Sequence, residues 1–339
     1  MTVGLITFRL ILPMYLAGTS RNGNALQGIS EGETSMATMT HPAAGSGLFA
    51  QDAENRKLFA EHFDHHPFLF RHALDTVDLF QMPALLKLAQ KCMDNRLQKS
   101  HFETGKPVVD GFFGNKPADL TLVQALERIG ESSNWIILKR IHEIPEYREA
   151  LEAFIAELSE LTGVDLRSKY HDPILTIFIT SPNRITPYHL DGEANFLAQV
   201  QGSKSVFLYN ANDPYILTQE EKEKYWTGNL PAPRWHEELS NGQWRYDVAP
   251  GTGVFNPATF PHWVKNTDNV SVSVSVNFKR VRNDSIGAYR TNYFTRKLGL
   301  HPTEPGKSPG VDHLKSLTFG NLYNGLHATR KALRSRFGI

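Results

Sequence analysis

The sequence predicts a mainly β protein, a sandwich or barrel with helices flanking it on both sides. Three observations carry this. From residue 174 onward, short segments of alternating polarity follow one another, separated by Gly, Pro and Asn. Upstream, residues 145–163 place apolar side chains at helical rather than strand spacing. Downstream, residues 313–336 form a basic, helix-like stretch with Leu314, Leu317, Leu322, Leu326 and Leu333 as contact positions.

In chain order, residues 1–47 read as a poorly ordered leader or as the product of a start codon placed too early. Their apolar run, residues 3–18, is broken by Arg9 and Pro13 and falls short of the roughly 18–20 residues that span a bilayer. No basic segment precedes it, as a secretion signal requires. Residues 48–170 read as an α/β support region. Pro67 to Arg71 is a short buried strand, residues 83–92 are helical, and residues 135–141 form a strand of Ile and Leu. Pro145 then opens an amphipathic helix with Tyr147, Leu151, Phe154, Ile155, Leu158 and Leu161 on one face, and Gly163 stands where a C-cap belongs.

Residues 171–282 carry the strands: 174–180, 195–200, 205–209, 253–256 and 270–279, with an insertion at 212–247. The last alternates strictly. Val270, Val272, Val274, Val276 and Phe278 share one face, and Ser271, Ser273, Ser275 and Asn277 share the other. A Val face packed on helices leaves the polar face looking into a barrel, or into water. Residues 283–339 form a helical tail with nine Lys or Arg against three Asp or Glu.

Composition narrows the function. Thirty-six basic and 35 acidic residues give a net charge of +1. A general nucleic-acid or anionic-membrane binder needs a clear positive excess, so neither partner is expected. The single cysteine, Cys92, excludes an internal disulfide framework and a four-cysteine zinc site. A reducing, cytoplasmic setting fits best.

The chemistry sits in Thr186-Pro187-Tyr188-His189-Leu190-Asp191. Residues i and i+2 of an extended strand point to one face, so His189 and Asp191 can close on one ion. Phe260-Pro261-His262-Trp263, 71 residues beyond Asp191, supplies a third ligand beside the longest alternating strand. Two His and one carboxylate on one face of a metal leave the opposite positions open, as non-haem Fe(II) oxygenases require. Lys204, at the head of an apolar strand, can hold a carboxylate inside a cavity or simply reach solvent.

These residues, with Asn195 to Lys204, Gly251 to His262 and the Ser275-Val276-Asn277-Phe278 strand, resemble the cupin-like JmjC branch of Fe(II)- and 2-oxoglutarate-dependent oxygenases. Within it the chain looks most similar to the asparaginyl hydroxylase acting on hypoxia-inducible factor. Spacing agrees with the letters: fifteen residues separate His189 from Lys204, and fifteen separate His262 from Asn277. The match is strong over residues 174–281, faint over 60–170 and absent over 1–47. The resemblance implies a double-stranded β-helix, the cupin or jelly-roll barrel, with His189, Asp191 and His262 on iron. It implies Lys204 and Thr186 on the distal carboxylate of 2-oxoglutarate, with Asn195 and Asn277 lining that pocket. The tyrosine such hydroxylases often supply from an earlier strand is not placed; residues 135–138 align roughly there.

The expected activity is therefore hydroxylation of a peptide side chain or small metabolite, consuming O2 and 2-oxoglutarate and releasing succinate and CO2. The alternatives are a non-catalytic cupin-like ligand-binding or regulatory protein, or a metal cupin enzyme that does not use 2-oxoglutarate. Trp226, Trp235 and Trp244 of the insertion form a substrate wall or a small satellite core. Glu220 to Lys224 reads as a solvated helix face, His65-His66 as a surface turn, and the C-terminal helices as a homodimer contact.

Overall fold

A computed structural model describes residues 47–94, 101–105, 108–111, 120–280 and 284–317. The leader (1–46) and the tail beyond residue 317, with Leu322, Leu326 and Leu333, lie outside these residues. The described residues form, in order, α1 (Ala53–His62), β1 (Phe68–Arg71), α2 (Met82–Asp94), β2 (His101–Thr104), α3 (Leu122–Glu127), β3 (Asn134–Lys139), α4 (Pro145–Thr162), α5 (Leu166–Lys169), β4 (Tyr170–Thr180), β5 (Ile185–His189), β6 (Ala194–Gln201), β7 (Lys204–Leu208), α6 (Gln219–Trp226), β8 (Trp244–Val248), β9 (Thr252–Asn256), β10 (His262–Asn266), β11 (Ser271–Arg280), α7 (Asp284–Lys297) and α8 (Pro309–Lys315).

The strands make two antiparallel sheets. One has seven strands in the order β1-β9-β6-β11-β4-β3-β2, the other four in the order β5-β10-β7-β8. From β4 to β11 the chain passes back and forth between them, so each sheet receives strands from all along this stretch. Residues 48–170 contribute β1, β2 and β3 to the larger sheet. The fold is mainly β with flanking helices, as the strand periodicity predicts. No helix among the described residues is long and apolar enough to cross a membrane.

The alternation of β11 decides how the layers stack. Val272, Val274, Val276 and Phe278 are buried in one core with Leu151, Phe154, Ile155 and Leu158 of α4. Pro145 starts α4 and Gly163 ends it in the left-handed conformation, at φ 66°, where a side chain is disfavoured. The opposite face of β11 is not in water. Ser271, Ser273 and Ser275 are fully buried and hydrogen-bonded, Ser273 to Gln199 Oε1 (2.7 Å) and Ser275 to Asn195 Oδ1 (3.1 Å). Satisfying each hydroxyl locally lets a polar stripe be buried without a large desolvation cost.

Phe196 of β6 is the centre of the apolar layer. It is fully buried, with ring centroids of Phe255 at 4.7 Å, Phe70 at 5.6 Å and Phe154 at 5.9 Å. Phe196→Ala leaves a cavity no neighbour can close, and the expected loss is about 3–5 kcal/mol in urea unfolding. A loss under about 1 kcal/mol would contradict this packing.

One expectation is corrected. The acidic run of α6 is not a solvated face: Glu223 is 1 % exposed and Glu221 is buried. Arg296 of α7 places its Nε 3.0 Å from both Glu223 oxygens, while Glu221 closes a capping box on Thr218. The tail packs over the insertion here, which the charge run does not reveal. His65 and His66 do sit exposed in a turn, and Cys92 is buried.

Candidate functional site

β5 and β10 are antiparallel neighbours, and their register sets His189 directly opposite His262. That pairing explains how residues far apart in sequence meet. The imidazole centroids are 4.2 Å apart. Asp191, two residues past His189, places Oδ2 3.8 Å from Nε2 of each ring. These three residues form the one group of His, Cys, Asp or Glu among the described residues that is clustered tightly enough to hold a metal ion.

Backbone carbonyls orient both rings. His189 Nδ1 lies 2.7 Å from Pro187 O and His262 Nδ1 lies 3.1 Å from Phe260 O. A proton on each Nδ1 satisfies those carbonyls and leaves both Nε2 lone pairs facing Asp191, the arrangement a metal ligand needs. The Asn256 amide is 3.1 Å from His262 Nδ1, and its Oδ1 is buried without another partner. With that oxygen turned to the ring it accepts the same proton. Burial, reinforced by the neighbouring His189, pushes His262 down to about 4 against the pull of Asp191, so its ring stays neutral at pH 7. Thr259 N–H donates to Asp191 O (2.7 Å) from the turn before β10, and Thr259 adopts φ 69°, a strained conformation for a β-branched residue.

The triad opens into a cavity of about 380 Å³ between the two sheets. Thr186, Asn195, Lys204 and Asn277 all line it, so the structure brings every expected cofactor-side residue to the same space as the triad. Lys204 is 5 % exposed, and burial alone drives its ammonium down to about 7. No carboxylate charge among the described residues lifts it back. From the earlier strand β3, Trp135, Ile137 and Lys139 reach the cavity. Glu193, two residues past Asp191, lines it too; burial and the Asp191 charge raise its carboxyl, opposed by Lys279 and Lys139.

The three tryptophans are not a cavity wall. Trp235 packs edge-on against Tyr188 (5.5 Å) and Trp263 (5.9 Å), and Trp244 stacks on Phe260 (6.0 Å). Both spend their area covering the smaller sheet, and Trp226 lies over Gly192. The insertion instead sends Tyr225, Leu230 and Pro231 to the cavity. Leu230 is 64 % exposed, which marks the open end, as buried Lys204 marks the closed one. No local pattern singles out these residues.

No family model matches the chain, and no curated protein sequence matches it. Among solved structures it is similar to the Escherichia coli ribosomal oxygenase YcfD in complex with cobalt and succinic acid, at 16% identity and TM-score 0.45, covering 78% of this chain and 61% of that one. The structure of YcfD in complex with cobalt and 2-oxoglutarate gives 15% identity and TM-score 0.45, with the same coverage of both chains. The chain thus spans about three fifths of the length of these neighbours.

Proposed function

We propose that this protein is an Fe(II)- and 2-oxoglutarate-dependent oxygenase of the JmjC type, built on a double-stranded β-helix, that hydroxylates a peptide side chain or small metabolite. One observation carries the reading: a His-Asp-His triad and a buried lysine with no acidic partner among the described residues share one cavity. A lysine held in that state is costly, and an anion arriving from solution removes the cost. A dicarboxylate with a 2-oxo-acid end that chelates metal and a free carboxylate at the other end matches both features. The resemblance over residues 174–281, down to the paired fifteen-residue spacings, supports the same assignment.

The residues divide the work by position. His189, Asp191 and His262 would hold the iron on one face, leaving the cavity side for the cosubstrate. Lys204 would grip the distal carboxylate, with Thr186 beside it, and Asn195 and Asn277 would supply amide hydrogen bonds along the polar wall. Iron(II) held there would supply the chemistry by which O2 converts 2-oxoglutarate to succinate and CO2, one oxygen atom entering succinate and the other the substrate C–H bond. Tyr225, Leu230 and Pro231 shape the open end, where the C–H bond to be hydroxylated enters.

Succinate formation tests this directly. The purified protein with Fe(II), 2-oxoglutarate and air is expected to release succinate slowly even without a second substrate, and to stop when the metal is chelated. Tight metal binding with no succinate under any of these conditions would leave a binding protein and overturn the catalytic part of the reading.

A further inference from the structure

Asp191 lies between β5 and β6, outside any strand, so no ladder of hydrogen bonds fixes the segment that presents this ligand. On one side only Thr259 N–H reaches its carbonyl. The other side is covered by the end of α6. A Cβ added at Gly192 would stand 2.7 Å from Cη2 and 3.2 Å from Cζ3 of Trp226, and 3.5 Å from the Tyr225 hydroxyl. The indole therefore presses on bare backbone directly beside the ligand.

The end of α6 is in turn held from the tail. Arg290 of α7 donates from Nε to Trp226 O (2.8 Å), and Arg296, nearly two turns further along, pairs with buried Glu223. No residue of α7 lines the cavity. The path nevertheless runs from α7 through the C-terminal turn of α6 to the residue next to Asp191.

We propose that Trp226, braced by Arg290, is a positioning residue for the metal ligand Asp191, so that α7 helps to set metal affinity from outside the site. This rests on the metal-centre part of the functional reading and not on the identity of the cosubstrate. Groups outside the ligand shell that orient ligands typically change metal affinity 10- to 100-fold when lost. A packing role alone would change stability and leave the metal untouched.

The test is a Co(II) titration of the full chain, following its visible absorption and, separately, thermal unfolding of the metal-free protein. Gly192→Ala forces the indole outward, and Trp226→Leu leaves a gap over the glycine. Each is expected to weaken Co(II) binding about tenfold or more and to shift the absorption bands. In the double variant the new methyl fills part of the new gap, so affinity is expected to return to within about threefold of the parent, the non-additivity expected of two groups that share one contact. Arg290→Met, which touches neither ligand nor glycine, is expected to weaken binding in the same direction and serves if Gly192→Ala does not fold. Unchanged Co(II) affinity and spectrum in Trp226→Leu and Arg290→Met, whatever their melting temperatures, would overturn the proposal, as would a double variant whose losses simply add. Failure of the unsubstituted protein to bind Co(II) would instead remove the metal centre itself, and the proposal with it.

Discussion

Lys204→Met is expected to make the metal-free protein more stable and, in the same step, to weaken its binding of 2-oxoglutarate. The ammonium is 5 % exposed, and burial holds its pKa near 7, against about 10.4 for a free lysine. A folded pKa below the unfolded one means the unfolded chain binds more protons between those values. Stability therefore rises with pH across the window from about 7 to about 10, and the full penalty of burying the charge is present below pH 7. At 1.36 kcal/mol per unit the penalty is of order 4–5 kcal/mol, an upper figure because the surroundings relax. Methionine keeps much of the length and loses the charge, so a gain of a few kcal/mol at pH 6 is expected in denaturant unfolding, shrinking towards pH 10. The same substitution removes a charge-assisted partner, costing roughly 2–4 kcal/mol, about 30- to 1000-fold in apparent 2-oxoglutarate affinity.

The pH dependence of binding provides an independent check. Only the protonated form grips a carboxylate, so affinity in the parent is expected to fall about tenfold per unit above pH 7, with proton uptake on binding at pH 8 seen as a buffer-dependent heat in calorimetry. A flat affinity between pH 7 and 9, or a less stable Lys204→Met, would mean that Lys204 does not face the ligand.

How much of this was legible in the sequence depended on whether the signal was local. β11 and α4 were readable because one face of each meets a single environment along its length, which periodicity reports. His189, Asp191 and Lys204 stood out through the spacing shared with the resembling family; the i, i+2 strand argument did not hold for the pair, since β5 ends at His189 and Asp191 follows it outside any strand. β10 was not: His262 to Asn266 is a five-residue strand buried at four positions, including His262 and Asn266, so it shows no alternation. Its exchange with β5, which places His262 against His189, is a register fact that exists only between strands. Glu221 and Glu223 misled for the same reason, since a charge run looks solvated until α7 is laid over it. The tryptophans left two readings open for a different reason. Large aromatic area is attractive both for a substrate and for the outer face of a small sheet, and composition cannot choose between them. The choice fell to Tyr225, Leu230 and Pro231 through the path of the chain after α6.

Asp191→Ala is expected to remove metal binding while leaving the metal-free fold nearly unchanged. The carboxylate is the only negative charge among the three ligands, and its side chain is 35 % exposed, so it contributes little apolar burial. His262 is already neutral at pH 7, so losing the carboxylate strands no buried charge; the metal-free protein should differ by less than about 1 kcal/mol. Two imidazoles alone make a neutral, incomplete site. A ligand that binds only the folded state stabilises it by RT ln(1 + [L]/Kd), about 4 kcal/mol at a thousandfold excess over Kd. The parent should therefore gain that much on adding Co(II) and the variant essentially nothing, read as thermal shifts at several metal concentrations. Asp191→Glu separates charge from reach: it restores the charge but displaces the oxygens by one methylene in a site whose ligand atoms lie within 4.8 Å of one another, so partial stabilisation at higher metal is expected. An Asp191→Ala protein that still gains the full shift would place the ion elsewhere. One that is several kcal/mol less stable without metal would mean that the Asp191 carboxylate serves the fold more than it serves the ion.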